Sequence, residues 1–191
     1  FEELGVNYIG PLDGHDLDVV VDALERAKKF KGVTLVHLLT EKGKGFDPAS
    51  DDPERAHGVK PPSKVPAAAS PGPGQSKQSF TAAFSQSLCA LADKNQHVHA
   101  ITAGMPSGTG LGEFSTRFAE RFHDTGITEQ HAVALAGGLA TAGKRPVVAI
   151  YSTFLQRGYD QVFQEVALQK ESVVFALDRA GLVGQDGPTH M

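Results

Sequence analysis

Apolar residues in the first part of the chain follow two different periods. Leu17, Val20, Val21, Leu24 and Ala27 recur at helical spacing, which predicts a helix over residues 16–29 with Asp16 as its N-cap. Residues 33–40 form a short run of apolar and β-branched side chains, the pattern of a buried strand. The pair reads as the last helix–strand unit of a domain that begins upstream. From residue 79 the pattern becomes regular. Residues 79–93 read as a helix with Phe80, Phe84, Leu88 and Leu91 on one face. Strands are predicted at 97–103, 121–124, 147–151 and 172–178, and helices at 112–118, 128–143 and 153–169. The helix at 128–143 is rich in small residues and so suited to lie close on a sheet. Alternation of this kind predicts an α/β fold built on a doubly wound parallel sheet. No internal repeat is visible.

Between the two regions the composition changes. Seven of the eleven prolines lie between Pro48 and Pro73, near Ala67-Ala68-Ala69-Ser70 and Pro71-Gly72-Pro73-Gly74. Proline lacks the amide that a helix or inner strand requires, so the segment reads as an interdomain linker. An unstructured loop of that length inside one compact domain would be uncommon. The expected organisation is residues 1–58 as the end of one α/β domain, 59–78 as linker and 79–191 as a second domain. The chain opens on Phe1 and stops at Met191, just after a Gly/Asp-rich loop, so it is read as part of a longer protein.

Composition narrows function mainly by exclusion. The chain has 191 residues, 40% of them hydrophobic and 21% charged, the balance of a soluble globular protein. Its formal net charge of -4 gives no reason to expect nucleic acid or an acidic membrane surface as partner. No apolar run approaches the roughly 20 residues of a membrane span. Cys89 is the only cysteine, so no disulfide within the chain is possible and a reducing compartment is the default.

In a doubly wound sheet, ligands sit beyond the carboxyl ends of the strands. Four predicted loops lie there, and they hold most of the unusual residues: 104–110, 125–131, 151–157 and 178–190. The glycine-rich loop 104–110 has neither the Lys-Ser/Thr ending of a P-loop nor a dinucleotide fingerprint, and alone it reads as a turn. Ser107 misses the spacing of a hydrolase nucleophile elbow. His97 and His99 would share one strand face, but no third ligand follows at metal-site spacing, so a polar face is the better reading and no metal ligand is assigned. Glu129 opens a helix, where the dipole favours a carboxylate in any case. With Gly126 before it and a small-residue helix behind it, the carboxylate is also placed to share a proton with a ring nitrogen. Arg157 and Arg179 fall at adjacent strand ends with Tyr151 nearby. Either is ordinary as a surface charge, but together they suit a clamp for phosphate.

The chain also resembles a known family. Phe1-Glu2-Glu3-Leu4-Gly5, Tyr8-Ile9-Gly10-Pro11, Asp13-Gly14-His15-Asp16 and Lys42-Gly43-Lys44-Gly45-Phe46 are similar to the end of the first domain of 1-deoxyxylulose-5-phosphate synthases, which are transketolase-like thiamine-diphosphate enzymes. Gly126-Ile127-Thr128-Glu129-Gln130-His131-Ala132-Val133, Ile150-Tyr151-Ser152-Thr153-Phe154-Leu155-Gln156-Arg157 and Asp178-Arg179-Ala180-Gly181 resemble later segments of that family. The resemblance implies a pyrimidine-binding domain. Glu129 then matches the glutamate that hydrogen-bonds N1′ of the cofactor's aminopyrimidine, and Phe154 the ring stacked on it. Met105 and Ile127 match apolar residues beside the cofactor. Tyr151, Arg157, Arg179 and Asp186 fall where the family handles its phosphorylated acceptor, and His57 and His190 match histidines near the substrates.

The implied reaction condenses pyruvate with D-glyceraldehyde 3-phosphate, with loss of carbon dioxide, at the start of non-mevalonate isoprenoid precursor synthesis. The cofactors would be thiamine diphosphate and Mg2+, the assembly a homodimer, and the location the bacterial cytoplasm or the plastid stroma. The magnesium and diphosphate ligands of the family lie upstream of this sequence, so residues 1–191 alone are expected to bind cofactor poorly and turn over little. Thr125 and Thr128 replace a usual valine and alanine. Gly158 replaces a common alanine, with a modest helix cost expected. Two alternatives stand beside this reading: another transketolase-like enzyme, or a non-catalytic domain that completes a partner's site.

Overall fold

The computed structural model describes residues 1–50, 78–182 and 187–190. The segment expected to be a linker, residues 59–78, lies outside the described residues except for its last position. The chain divides into two compact units, Phe1–Ser70 and Pro71–Met191.

In the first unit, strand β1 (Asn7–Asp13) pairs in parallel with β2 (Thr34–Leu39), and helix α1 (Leu17–Ala27) crosses between them. A short helix α2 (Asp47–Ser50) follows. Asp16 caps α1 as its position predicts: the carboxylate accepts the backbone N–H of Asp18 and of Val19. Strand β1 was not among the predicted elements, and the Gly10-Pro11 dipeptide interrupts its run. The ladder accommodates that dipeptide through a register shift between Ile9 and Leu12. The apolar stripe of α1 is only partly used within this unit. Ala23 is fully buried, while Leu17, Val21 and Leu24 are exposed.

The second unit holds the four-stranded sheet. Strands β3 (Val98–Thr102), β4 (Phe122–Asp124), β5 (Arg145–Tyr151) and β6 (Val174–Asp178) are all parallel, in the order β4-β3-β5-β6. Side chains alternate between two cores. Val98, Ala100, Val147 and Ala149 meet helices α3 (Phe80–Lys94) and α4 (Gly112–Arg117), while Ile101, Val148 and Ile150 meet α5 (Glu129–Thr141). Helices on both faces make the sheet doubly wound, as predicted. After β3 the chain first builds β4 on one side and then β5 on the other. The topological switch, where ligands collect in such sheets, therefore lies at the carboxyl end of β3.

Two expectations are corrected. In α3 the buried side chains are Leu88, Cys89 and Ala92, whereas Phe80 is 97% and Leu91 50% exposed. Leu88 and Phe84 meet the core as expected, and small Cys89 and Ala92 bring the helix close to the sheet while Phe80 and Leu91 stay outside. Residues 153–169 do not form one helix. They break into α6 (Ser152–Leu155), a 3₁₀ turn (Gln156–Gly158), α7 (Tyr159–Gln161) and a π-helical stretch (Val162–Ala167). The cause is packing on α5. A Cβ at Gly158 would stand 3.2 Å from Val133 and 3.4 Å from the Glu129 carbonyl, and one at Gly137 would stand 2.9 Å from the Glu165 carbonyl. The backbone of this segment thus lies directly on α5, and regular helical winding yields to that contact. Gly158 is consequently a close-packing glycine in a 3₁₀ turn, and the helix-interior cost expected of it does not apply.

Candidate active site

The loops after β3 and β4 are tied together by one side chain. Asp124, the last residue of β4, accepts the backbone N–H of Gly104 (2.7 Å) and of Gly126 (3.0 Å) on the same carboxylate oxygen. Thr125 adds a backbone bond to the Thr102 carbonyl, and Thr128 turns its hydroxyl onto the Thr125 carbonyl. Gly104 and Gly126 both have positive φ, +78° and +67°, so the two loops can turn sharply where they meet. Ile127 is presented on the resulting surface, 78% exposed, against the face of Gly104. Met105 packs on the same core cluster as α5, together with Phe154.

Glu129 begins α5 and is 2% exposed. Its Oε2 is buried without a hydrogen-bond partner among the described residues. A buried carboxylate oxygen left unpaired costs about 1–3 kcal/mol, more than the helix dipole returns at about 0.3–1 kcal/mol. Fold stability therefore does not explain this residue. Its geometry is that of an acceptor open to a donor or a proton from outside the described residues.

A second cluster gathers at the ends of β5 and β6. The Tyr151 and Phe154 rings stack at 5.5 Å, and the His190 ring lies against both, at 5.6 and 5.2 Å. The Arg179 guanidinium sits 3.9 Å over the Tyr151 ring. It also donates to Asp178 Oδ2 (2.9 Å) and to the Gly108 carbonyl (3.2 Å). Tyr151, Phe154, Arg179 and His190 are thus brought together from three separate stretches of chain, and Gly158, one turn beyond Phe154, rests against the Glu129 backbone. Arg157 is exposed on the same 3₁₀ turn and makes no ion pair among the described residues. His57 and Asp186 lie outside the described residues.

Several residues of the site were not anticipated. Asp124, Asp178, Ser152 and Gly108 all hold loops or side chains in place. The signal available for Asp124 was an Asp directly before a turn, a position where a carboxylate commonly binds nearby backbone amides. His99 also behaves differently from expectation. It pairs with His123 across β3 and β4, Nδ1 to Nε2 at 3.1 Å with the rings stacked, while His97 stays exposed. Burial pushes both pKa values below the usual imidazole value, and for His99 the neighbouring His123 adds to the effect. A separate surface cleft of about 530 Å³ lies at the opposite end of β3, lined by Lys94, His97 and Arg121 among others, far along the strand from these loops.

Comparison with known proteins agrees with this architecture. Residues 76–191 match the family described as transketolase, pyrimidine binding domain, and residues 1–40 match the family 1-deoxy-D-xylulose-5-phosphate synthase. Curated relatives named 1-deoxy-D-xylulose-5-phosphate synthase include proteins from Magnetococcus marinus (56% identical over 190 residues), Desulforudis audaxviator (55% over 190) and Aquifex aeolicus (51% over 194). Each alignment covers 100% of this chain and 30% of the relative, so the chain spans under a third of the length of the proteins it matches. Among solved structures, a split gene transketolase described as an inactive beta4 tetramer has a TM-score of 0.46 and 28% identity, covering 50% of this chain and 32% of its own. By the match over residues 76–191 the chain belongs to the transketolase pyrimidine-binding-domain family, and its relatives there are 1-deoxy-D-xylulose-5-phosphate synthases.

Proposed function

We propose that this chain supplies the aminopyrimidine-binding half of a thiamine-diphosphate site, in an enzyme that condenses pyruvate with D-glyceraldehyde 3-phosphate to 1-deoxy-D-xylulose 5-phosphate and carbon dioxide. The observation that carries the proposal is Glu129, buried at the head of α5 with Oε2 unpartnered among the described residues. A proton on that oxygen would make it a donor to an aminopyrimidine ring nitrogen, so the residues present fit the group. Thiamine diphosphate, when bound, supplies the carbon nucleophile and electron sink that decarboxylation and carbon–carbon bond formation require.

The chain's own residues bind and orient around that chemistry. Glu129 would share a proton between its buried oxygen and the pyrimidine nitrogen of the bound cofactor. Phe154 offers a ring face for stacking, and Met105 and Ile127 form apolar walls. Tyr151 and Arg179 read the phosphate of the acceptor, with Arg157 contributing from its 3₁₀ turn and Asp186 assigned to the same task. His190, packed against Tyr151 and Phe154, and His57 serve the substrates. Mg2+ and the diphosphate would be held by residues outside this sequence. We assign the assembly as a homodimer working in the cytoplasm of a bacterium. Among the described residues, no helix is long and apolar enough to cross a membrane.

The test is product formation by the protein expressed from its complete reading frame, given pyruvate, D-glyceraldehyde 3-phosphate, thiamine diphosphate and magnesium. Glu129→Gln keeps the shape and removes the titratable group, so turnover should fall by about 10²–10⁴-fold. Absence of product from the parent, or a Glu129→Gln variant as fast as the parent, would sink the proposal.

A further inference from the structure

We propose that Asp178 is a positioning residue that presets the anion-reading arginine, holding Arg179 over Tyr151 before any phosphate arrives. The inference rests on the reading of Tyr151 and Arg179 as the acceptor-phosphate clamp, and it assigns a role to a residue outside that clamp.

Arg179 adopts φ +54°, in the left-handed region that a long side chain seldom enters. Its backbone is fixed there on both sides. Asp178 Oδ1 accepts the Arg179 N–H at 2.7 Å, and the Ser152 hydroxyl donates to the Arg179 carbonyl at 2.9 Å. The other oxygen of the same carboxylate, Oδ2, accepts from the guanidinium Nη1 at 2.9 Å. One aspartate therefore engages both the backbone and the side chain of Arg179. The Gly108 carbonyl takes a further bond from Nη1, and a Cβ at Gly108 would overlap the Tyr151 hydroxyl. Glycine at 108 is thus what lets the loop after β3 close on the pair. The Arg179 and Asp178 side chains are 24% and 30% exposed, so the contact is partly sheltered from solvent.

Charge alone argues against placing a carboxylate here. A negative group beside the guanidinium lowers its attraction for a phosphate dianion. A site built for attraction would omit it, whereas a site built for fixed geometry gains from it, because an arginine already held in place loses less rotamer freedom on binding. The two ideas predict opposite signs for one substitution. Asp178→Asn keeps the size and an acceptor for the backbone N–H, and makes the clamp more positive. If attraction dominates, the phosphorylated acceptor binds better. If positioning dominates, it binds worse.

The experiment compares kcat/KM for D-glyceraldehyde 3-phosphate and for unphosphorylated D-glyceraldehyde, in the protein expressed from its complete reading frame. Arg179→Ala should lower the ratio of the two by about 100-fold, the loss of a charge-assisted contact to phosphate. Asp178→Asn should lower it by about 10-fold, through KM of the phosphorylated acceptor rather than kcat. The double variant should match Arg179→Ala alone, since a positioning residue has nothing left to position. A crystal structure of Asp178→Asn should show the guanidinium off the Tyr151 ring. A ratio unchanged or raised in Asp178→Asn, or a loss fully additive with Arg179→Ala, overturns the proposal. If Arg179→Ala leaves the ratio intact, the clamp reading falls, and the guanidinium position in Asp178→Asn alone decides the positioning claim.

Discussion

A buried carboxylate with an unpaired oxygen is an expense that a folded chain removes unless something outside it compensates. Glu129 is such a group: it gains from the dipole of α5 and loses more by leaving Oε2 without a donor among the described residues. Glu129→Met fills a similar volume with apolar atoms, and should raise folding stability by about 1 kcal/mol. The check is a denaturant midpoint in the absence of cofactor. A midpoint lower than that of the parent would mean that the oxygen is satisfied in solution, which would undercut its reading as a partner for the cofactor. Cys89 illustrates the opposite case. It is 1% exposed, and its thiol is held above the usual value by burial first and Glu113 second, so it serves as a small core residue.

At the scale of elements, the site depends on how closely α5 and the broken segment after β5 approach. That approach passes over glycine. A Cβ at Gly137 would meet the Glu165 carbonyl at 2.9 Å, a backbone atom of the π-helical stretch that cannot swing aside, while a Cβ at neighbouring Gly138 meets nothing within 4 Å. The two positions should therefore respond oppositely to the same change. Gly137→Ala should destabilise by about 1–2 kcal/mol, because overpacking at about 1–3 kcal/mol outweighs the helical preference for alanine. Gly138→Ala should stabilise by up to about 1 kcal/mol. Thermal unfolding of the pair reads both signs, and equal shifts in one direction would contradict the packing argument. Because Phe154 and Gly158 ride on the same segment, Gly137→Ala should also disturb the aromatic cluster at Tyr151.

Across the whole molecule, the edge of the sheet carries a proton-sensitive contact. His99 and His123 share one hydrogen bond, and that requires at least one ring to offer a bare nitrogen. Lys144, Arg121 and His97 lie close enough to His99 to oppose its protonation further. Both folded-state pKa values fall below the ordinary 6.5, so between that value and the depressed ones the unfolded chain binds more protons than the folded one. The stabilisation is therefore complete above 6.5 and is lost as pH falls through the depressed values. Urea midpoints at about pH 7.5 and about pH 5.5 should differ, before most carboxylates titrate. His123→Gln should reduce that difference, and an unchanged pH dependence would remove the pair from the account.

Much of this protein follows from its sequence alone, because the deciding physics is local. Strand and helix periods around β3, β5 and β6 place the doubly wound sheet, Asp16 caps its helix at the predicted residue, and the carboxyl ends of parallel strands mark the candidate site. Resemblance to a known family adds Phe154 to the residues that their place at strand ends singles out, Glu129, Tyr151 and Arg179. What tertiary structure decided involves distances between residues far apart in the chain. Which face of α3 is buried depends on how near Cys89 and Ala92 let it come to the sheet. Whether residues 153–169 wind continuously depends on the α5 backbone beneath them. The bond of Asp124 to Gly104, the bond of Arg179 to the Gly108 carbonyl and the partner of His99 arise where separate strands converge. No spacing along the chain encodes those contacts, because each is set by the sheet order and not by the residue's own neighbours.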